Sequence, residues 1–302
     1  MKDAHADAVP VGLQATRTPA RIADFVALAK PRLNLLVVAT SAAGYYLGSP
    51  STPELWPMAL AVVGTALVAG GAAALNQLYE RDTDALMRRT RTRPLPDGRV
   101  PPNEARLFGL ALSIAGLALL GVGANYLATL LAAATLAIYL VVYTPMKRRS
   151  PLATLVGAVP GALPPVIGWA ASHGSIASGG AALFAIVFLW QIPHFMAIAW
   201  LYREDYEKAG FPLLPVVEPD GRTTGRQAVV YAAALLPASL VPTLIGLSGM
   251  AYFMVAAVLG VVLISLAIGF ARSRSDHAAR LLFRASIIYL PLIWITMIAD
   301  KV

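Results

Sequence analysis

Apolar residues dominate the chain in long runs, and polar residues gather in the gaps between them. Nine runs stand out, at positions 33–47, 55–78, 107–122, 126–142, 152–171, 181–201, 228–247, 251–270 and 281–299. Their lengths approach or match what an α-helix needs to cross about 30 Å of hydrocarbon. The third run is short and is expected to extend into its flanking loops. The pattern predicts an all-α membrane protein with nine transmembrane helices. No linker or change of composition divides it, so residues 1–23 are read as a flexible cytoplasmic tail and 24–302 as a single transmembrane domain.

The loops give an orientation. The turns after runs one, three, five and seven contain no Lys or Arg, whereas every Lys and Arg except Lys301 falls in the N-terminal stretch, in the other loops or, for Arg284, just beyond one of them. By the positive-inside rule the N-terminus and the even-numbered turns face the cytoplasm, and the C-terminus lies outside. Only 13% of the 302 residues are charged, against an average of about 25% in soluble domains. The net charge of +8 is therefore read as topology and attraction to an anionic lipid bilayer, not to nucleic acid, for which no base-reading motif is present. The absence of cysteine removes disulfides, thiolate metal sites and thiol catalysis. The first 23 residues match neither a signal peptide nor an Arg-rich transit sequence, which favours a bacterial plasma (inner) membrane over a mitochondrial one.

Oxygen-bearing side chains at the end of the second run change the picture. Asn76, Glu80 and Asp84 are spaced i, i+4, i+8. On a helix they rise along one face, spanning about 12 Å. Such hard oxygen donors suit Mg²⁺, which typically takes one or two carboxylates plus substrate phosphates. The plain alternative is a solvated helix end whose acids pair with Arg81, Arg88 and Arg89. A second acidic loop weighs against it: the sixth run leads into Arg203-Glu204-Asp205 with the same polarity and on the same side. Metals held from opposite helices would clamp one diphosphate.

Cations accompany the acids. Lys147 and Arg148 follow Tyr143-Thr-Pro at the end of the fourth run, and Lys30 and Asn34 open the first. Lys and Arg hold phosphate oxygens as a point charge and a planar fork respectively. For Arg149 a lipid anchor is the better reading, and Lys30 alone could snorkel. The arginines from Arg88 to Arg99, including Arg93, are either a solvated loop or a cap that folds over the diphosphate. His194, inside the sixth run, is either a packing residue or a group that ligates haem iron or steers a proton.

The combination of Asn76 through Asp84-x-x-Met87-x-Arg-Thr90-x-x-Arg93-Pro-Leu, Tyr143-Thr-x-x-Lys147-Arg, Trp190-Gln-x-Pro-His194-Phe and Asp205-Tyr-x-x-Ala-Gly-Phe-Pro resembles the UbiA-type intramembrane prenyltransferases over nearly the whole chain after the tail. Glu80 stands where that family more often has Asp, and the second motif offers Glu204-Asp205 instead of two spaced aspartates. The resemblance implies helices arranged around a central cavity, Mg²⁺ as cofactor, and metal ligation by Asn76, Glu80, Asp84 and Asp205. Lys30, Asn34, Arg81, Arg93, Lys147, Arg148 and Arg203 are expected to bind the diphosphate, with Lys147 also counted among the catalytic residues. Among members of the family it points to transfer of farnesyl from farnesyl diphosphate to a vinyl group of haem B, with water, giving haem O; His194 would then face the haem. Haem B is substrate in this reading, and haem A synthase or a terminal oxidase assembly would be partners in the membrane. The alternatives are prenylation of a quinone-type acceptor, a secondary transporter, or a non-catalytic haem-handling protein. A transporter would need polar residues near the bilayer midplane with access from both faces, whereas nearly all ionisable groups here gather at one face.

Overall fold

In the computed structural model the described residues, 21–302, are almost entirely helical; positions 1–20 lie outside them, and with them most of the expected tail. A short helix α1 (Ile22–Leu28) begins within the stretch read as tail and leads into α2 (Pro31–Gly48), α3 (Leu55–Tyr79) and the single turn α4 (Arg81–Asp84). Next come α5 (Pro102–Gly123) and α6 (Tyr126–Ala137), which a π-helical turn (Ile138–Tyr143) joins to α7 (Thr144–Met146). The second half comprises α8 (Ala153–His173), α9 (Ala177–Leu201), α10 (Arg203–Lys208), α11 (Leu214–Val217), α12 (Arg222–Leu244), α13 (Met250–Ser273) and α14 (Asp276–Ala299).

Eight helices among the described residues are long and apolar enough to cross a membrane, with α6 to α7 forming one span, Tyr126–Met146. The ninth expected span, 33–47, lies within α2, where Arg32 and Asn34 dilute the apolar character of an 18-residue helix. The short third run lengthens as expected, because Pro102 at the first helical position and Glu104 in the first turn suit a helix start. Leu33, Val122 and Met254 are among many large apolar side chains left exposed on the outside of the bundle. Hydrocarbon is the solvent that suits such a surface.

Helix α8 is the inner post. It remains helical through Pro160, Pro164 and Pro165 and packs against α2, α6 and α9. Small residues let backbones come close enough to shield its interrupted hydrogen bonding. A Cβ on Gly44 would stand 2.0 Å from the Pro165 carbonyl oxygen, and one on Gly168 would stand 1.9 Å from that of Ser41. Side-chain amides serve its other carbonyls: Gln191 donates to Ala158 at 3.1 Å, and Asn125 to Ala170 at 2.7 Å. This is how a broken helix is tolerated at membrane depth.

The short helices α4 and α10 follow long helices directly and lie at the same end of the bundle. Lys301 lies at the other end, where its ammonium donates to the Tyr46 and Ser49 carbonyls at 2.8 and 2.7 Å, at the C-terminus of α2.

The α2–α8 contact yields an expected outcome. Gly44→Val should lower the melting temperature of the detergent-solubilised protein by at least about 5 °C, since overpacking typically costs 1–3 kcal/mol. Gly269→Ala, whose new methyl would meet nothing within 4 Å, should melt within about 2 °C of the parent. Equal melting of the two variants would contradict this packing.

Candidate active site

The end of α3 builds the first half of the site. After Tyr79 the chain bends only slightly at Glu80, and the i→i−4 ladder continues: Glu80 N–H donates to Asn76 O at 2.9 Å and Asp84 N–H to Glu80 O at 2.7 Å. Asn76, Glu80 and Asp84 therefore do follow one another along one helical line. All three are withdrawn from water: Asn76 and Asp84 are buried, and the Glu80 side chain is 11% exposed.

Each acid meets a cation. Lys147, at the end of α7, donates to both Glu80 oxygens at 2.9 and 3.2 Å and stands 4.6 Å over the Tyr143 ring. Arg93 donates to Asp84 Oδ2 at 2.7 Å. Thr90 returns to the Asp84 carbonyl at 2.7 Å, so the loop after α4 folds back over the carboxylate. Of the arginines expected to form a cap, Arg93 points inward, while Arg88, Arg89 and Arg91 remain exposed.

The second acidic loop closes on the first. Asp205 in α10 is buried, and Arg88 Nε approaches its carboxylate at 3.7 Å. That pair alone is exposed on one side and contributes little. Apolar contact does more: Met87 of the first loop packs in one cluster with Ala209, Phe211, Tyr206 and Leu213 of the second. Arg89 also lies over the Tyr202 ring at 5.5 Å. Burial pushes the Tyr206 hydroxyl up, keeping it neutral.

Lys30 reaches the cluster from the turn between α1 and α2. Its backbone is left-handed, with φ 48°, an uncommon conformation for a residue with a Cβ. Two side-chain amides hold the break: the buried Gln77 donates to Leu28 O at 2.7 Å and the half-buried Asn34 to Ala29 O at 2.6 Å. Burial first, then the charges of Arg93 and Lys147, push the Lys30 ammonium down to about 7, although Glu80 and Asp84 pull the other way. For Lys147 burial also works against the charge, but Tyr143, Glu80 and Tyr139 outweigh it and hold that ammonium above the ordinary lysine range.

Several expected residues stand elsewhere. Asn34 is a brace for the α1–α2 turn, because its amide is committed to Ala29. Arg81 pairs with its neighbour Asp82 at 3.0 Å and lines a separate surface pocket of about 260 Å³ with Leu95, Pro96 and Pro101. Arg203 is held by Asp276 at 3.0 Å and by the Trp200 carbonyl at 2.6 Å, which draws it to the start of α14. Arg148 is exposed. His194 lies between Trp190 and Phe283, with ring centroids at 5.0 and 5.1 Å. Its Nδ1 is 2.8 Å from Ser286 Oγ, whose own proton goes to Phe283 O at 2.7 Å. Ser286 must then accept, which places the imidazole proton on Nδ1 and leaves the lone pair on Nε2.

Sequence reasoning missed Tyr139, Thr144, Gln77 and Thr90. Tyr139 was findable, since it lies one turn before Tyr143 and two before Lys147.

No three His, Asp or Glu side chains among the described residues converge on one point. The oxygen donors nonetheless fit a hard cation in kind. A shell completed by water and by oxygens of a bound anion is how Mg²⁺ is usually held. Such a donor set suits a hard cation whose remaining ligands come from water and a bound anion.

Comparison with known proteins agrees. A family model described as the UbiA prenyltransferase family matches residues 37–290. A protoheme IX farnesyltransferase of Solibacter usitatus is 47% identical over 287 residues, covering 92% of this chain and 98% of that one. One from Koribacter versatilis is 43% identical over 92% of this chain and 93% of its own length. Among solved structures, a digeranylgeranylglyceryl phosphate synthase superposes with a TM-score of 0.79 at 17% identity, covering 92% of this chain and 98% of that one. A UbiA homolog from Archaeoglobus fulgidus bound to GPP and Mg²⁺ gives 0.65 at 19% identity, covering 91% and 99%. At those identities the structures speak for the fold.

Lys30 supplies a pH signature. Because its ammonium titrates near 7, bound anionic charge will raise that value, and binding above about pH 7 will take up a proton. Affinity for inorganic diphosphate should fall as pH rises from about 7 towards 9, by at most about tenfold per unit. Calorimetry at pH 8 in two buffers of different ionisation enthalpy should show proton uptake in the parent and less in Lys30→Arg, which stays charged. Equal uptake in both would remove Lys30 from the anion site.

Proposed function

The chain belongs to the UbiA prenyltransferase family, and from this we infer that it transfers the farnesyl group of farnesyl diphosphate to a vinyl group of haem B, with addition of water, giving haem O and diphosphate. It is a multi-pass membrane protein, with the acid loops, Lys30 and Lys147 at one end of the bundle. We assign that end to the cytoplasmic side of a bacterial inner membrane, because the basic loops gather there. The observation that carries the reading is the closure of the two acid loops into one structure, through Met87, Phe211 and the Arg88–Asp205 pair, beside Lys30, Arg93 and Lys147. The choice of farnesyl and haem rests on the relatives named above.

Asn76, Glu80, Asp84 and Asp205 would hold Mg²⁺. When bound, that ion supplies a Lewis acid for the charge that develops on the leaving diphosphate. The chain's own contribution is charge and dryness. Lys147 and Arg93 sit within 2.9 and 2.7 Å of the acids they now neutralise. A diphosphate arriving with its cation gives each carboxylate and each ammonium or guanidinium a new partner, so no buried charge is left alone. Lys30, only partly charged beforehand at neutral pH, is drawn to its protonated form by the arriving anion.

The chemistry then needs heterolysis of the C1–O bond, with the electron pair leaving on diphosphate. The haem vinyl π pair attacks C1, water adds to the resulting carbocation, and a proton is released. Pre-aimed cations favour the ionisation. Burial of the fifteen-carbon chain among the apolar helices, worth roughly 0.8 kcal/mol per methylene, retains and aligns C1. His194, with its lone pair on Nε2, is the residue suited to face the haem as ligand or base.

Purified protein given haem B, farnesyl diphosphate and Mg²⁺ should yield, by chromatography with mass detection, a haem heavier by one farnesyl and one water. Asp84→Asn, which leaves Arg93 without its acid, should lower its formation by about 100-fold or more even at temperatures where the variant remains folded. Unmodified haem from folded parent protein, with a quinone-type acceptor prenylated instead, would overturn the acceptor. His194→Ala should weaken haem binding or turnover; both intact would take His194 out of the site.

A further inference from the structure

The π-helical turn at Ile138–Tyr143 has a cause in the sequence. Pro145 lacks an N–H and its ring crowds the carbonyl four residues back, so the helix ahead of it widens. Thr144 N–H consequently reaches Tyr139 O, five residues earlier. The widened turn brings two side chains onto one buried amide. Thr144 Oγ1 is 3.0 Å from Asn76 Nδ2, and the Tyr139 hydroxyl is 3.3 Å from Asn76 Oδ1.

Donors and acceptors leave this arrangement no freedom. The Thr144 hydroxyl proton is spent on the Tyr139 carbonyl at 2.8 Å, so Thr144 Oγ1 can only accept from Asn76. Asn76 must present its nitrogen there, and its oxygen falls on the side where Tyr139 donates. A flipped amide would set oxygen against a lone pair and nitrogen against a proton. Asn76 is 2% exposed, so water offers no escape.

We propose that Tyr139 and Thr144 are positioning residues that fix the Asn76 side chain with its oxygen, not its nitrogen, available to the cation that accompanies the diphosphate. This deepens the reading above and rests on it. An amide oxygen is a hard donor and an amide nitrogen is not, so the orientation decides whether Asn76 can serve at all. One lone pair of Oδ1 takes the Tyr139 proton, and the other remains for the ion. Neither Tyr139 nor Thr144 touches substrate in this role.

The test uses Mn²⁺, visible by paramagnetic resonance, with purified protein and a farnesyl diphosphate analogue carrying sulfur at C1 that resists ionisation. Tyr139→Phe and Thr144→Val should each weaken Mn²⁺ binding about tenfold, in the range known for residues that orient metal ligands. Thr144→Ser, which keeps the hydroxyl, should bind like the parent, and all three should melt within a few degrees of it. A purely structural role predicts lost stability without a change in Mn²⁺ affinity. Full Mn²⁺ affinity in Tyr139→Phe and Thr144→Val, alongside its loss in Asp84→Asn, would overturn the positioning role and leave the site standing. Undiminished affinity in Asp84→Asn would overturn the site itself. Should Tyr139→Phe fail to fold, the Thr144→Val and Thr144→Ser pair decides: equal weakening in both sinks the proposal.

Discussion

Carboxylates withdrawn from water must find positive charge, and this requirement organises the working end of the molecule. Glu80 has Lys147 and Asp84 has Arg93, while Asp205 has only the weak, exposed approach of Arg88. A buried acid left without a partner would cost several kcal/mol. Pairing removes that cost and also sets Lys147 and Arg93 directly against the acids, the arrangement the proposed diphosphate site requires. The same ion pairs that allow the loops to fold hold the site ready for a ligand of the opposite arrangement of charge.

The rest of the bundle makes this possible by being rigid and dry. Gln77 of α3, donating to the Leu28 carbonyl, holds the α1–α2 turn, and with it Lys30, beside the end of α3. The π-turn does the equivalent from the other side, setting Tyr139, Thr144 and Lys147 against Asn76 and Glu80. Proline is the device in both places. In α8 three prolines stand in a helix packed closely on α2 through glycine, and at Pro145 proline widens the helix where a functional side chain has to be turned.

Much of this was legible in the sequence, because apolar run length and i, i+4 spacing depend on local geometry alone. Eight of the expected spans and the line from Asn76 to Asp84 follow from those rules. Arg203, Arg81 and Asn34 could not be placed in the same way. Each carries the right chemistry in the right loop, yet Asp276, Asp82 and the Ala29 carbonyl claim them, and those partners emerge only from tertiary packing or from a competition between near neighbours. Tyr139 carried only the signal of its spacing to Tyr143 and Lys147: a tyrosine in an apolar run otherwise reads as packing, and the π-turn is what sets its hydroxyl against an amide. The expected N-terminal span shows the limit of run length itself, since Arg32 and Asn34 dilute the apolar character of α2 and Asn34 braces the turn before it.

The central claim is that two loops far apart in sequence form one diphosphate site, and a structure of the protein with Mg²⁺ and the sulfur analogue of farnesyl diphosphate tests it most directly. The account predicts the diphosphate lying between Asp84 and Asp205, with Lys147 and Arg93 turned from their carboxylates onto phosphate oxygens. A diphosphate held by one loop alone, with the Glu80–Lys147 and Asp84–Arg93 pairs intact, would contradict it.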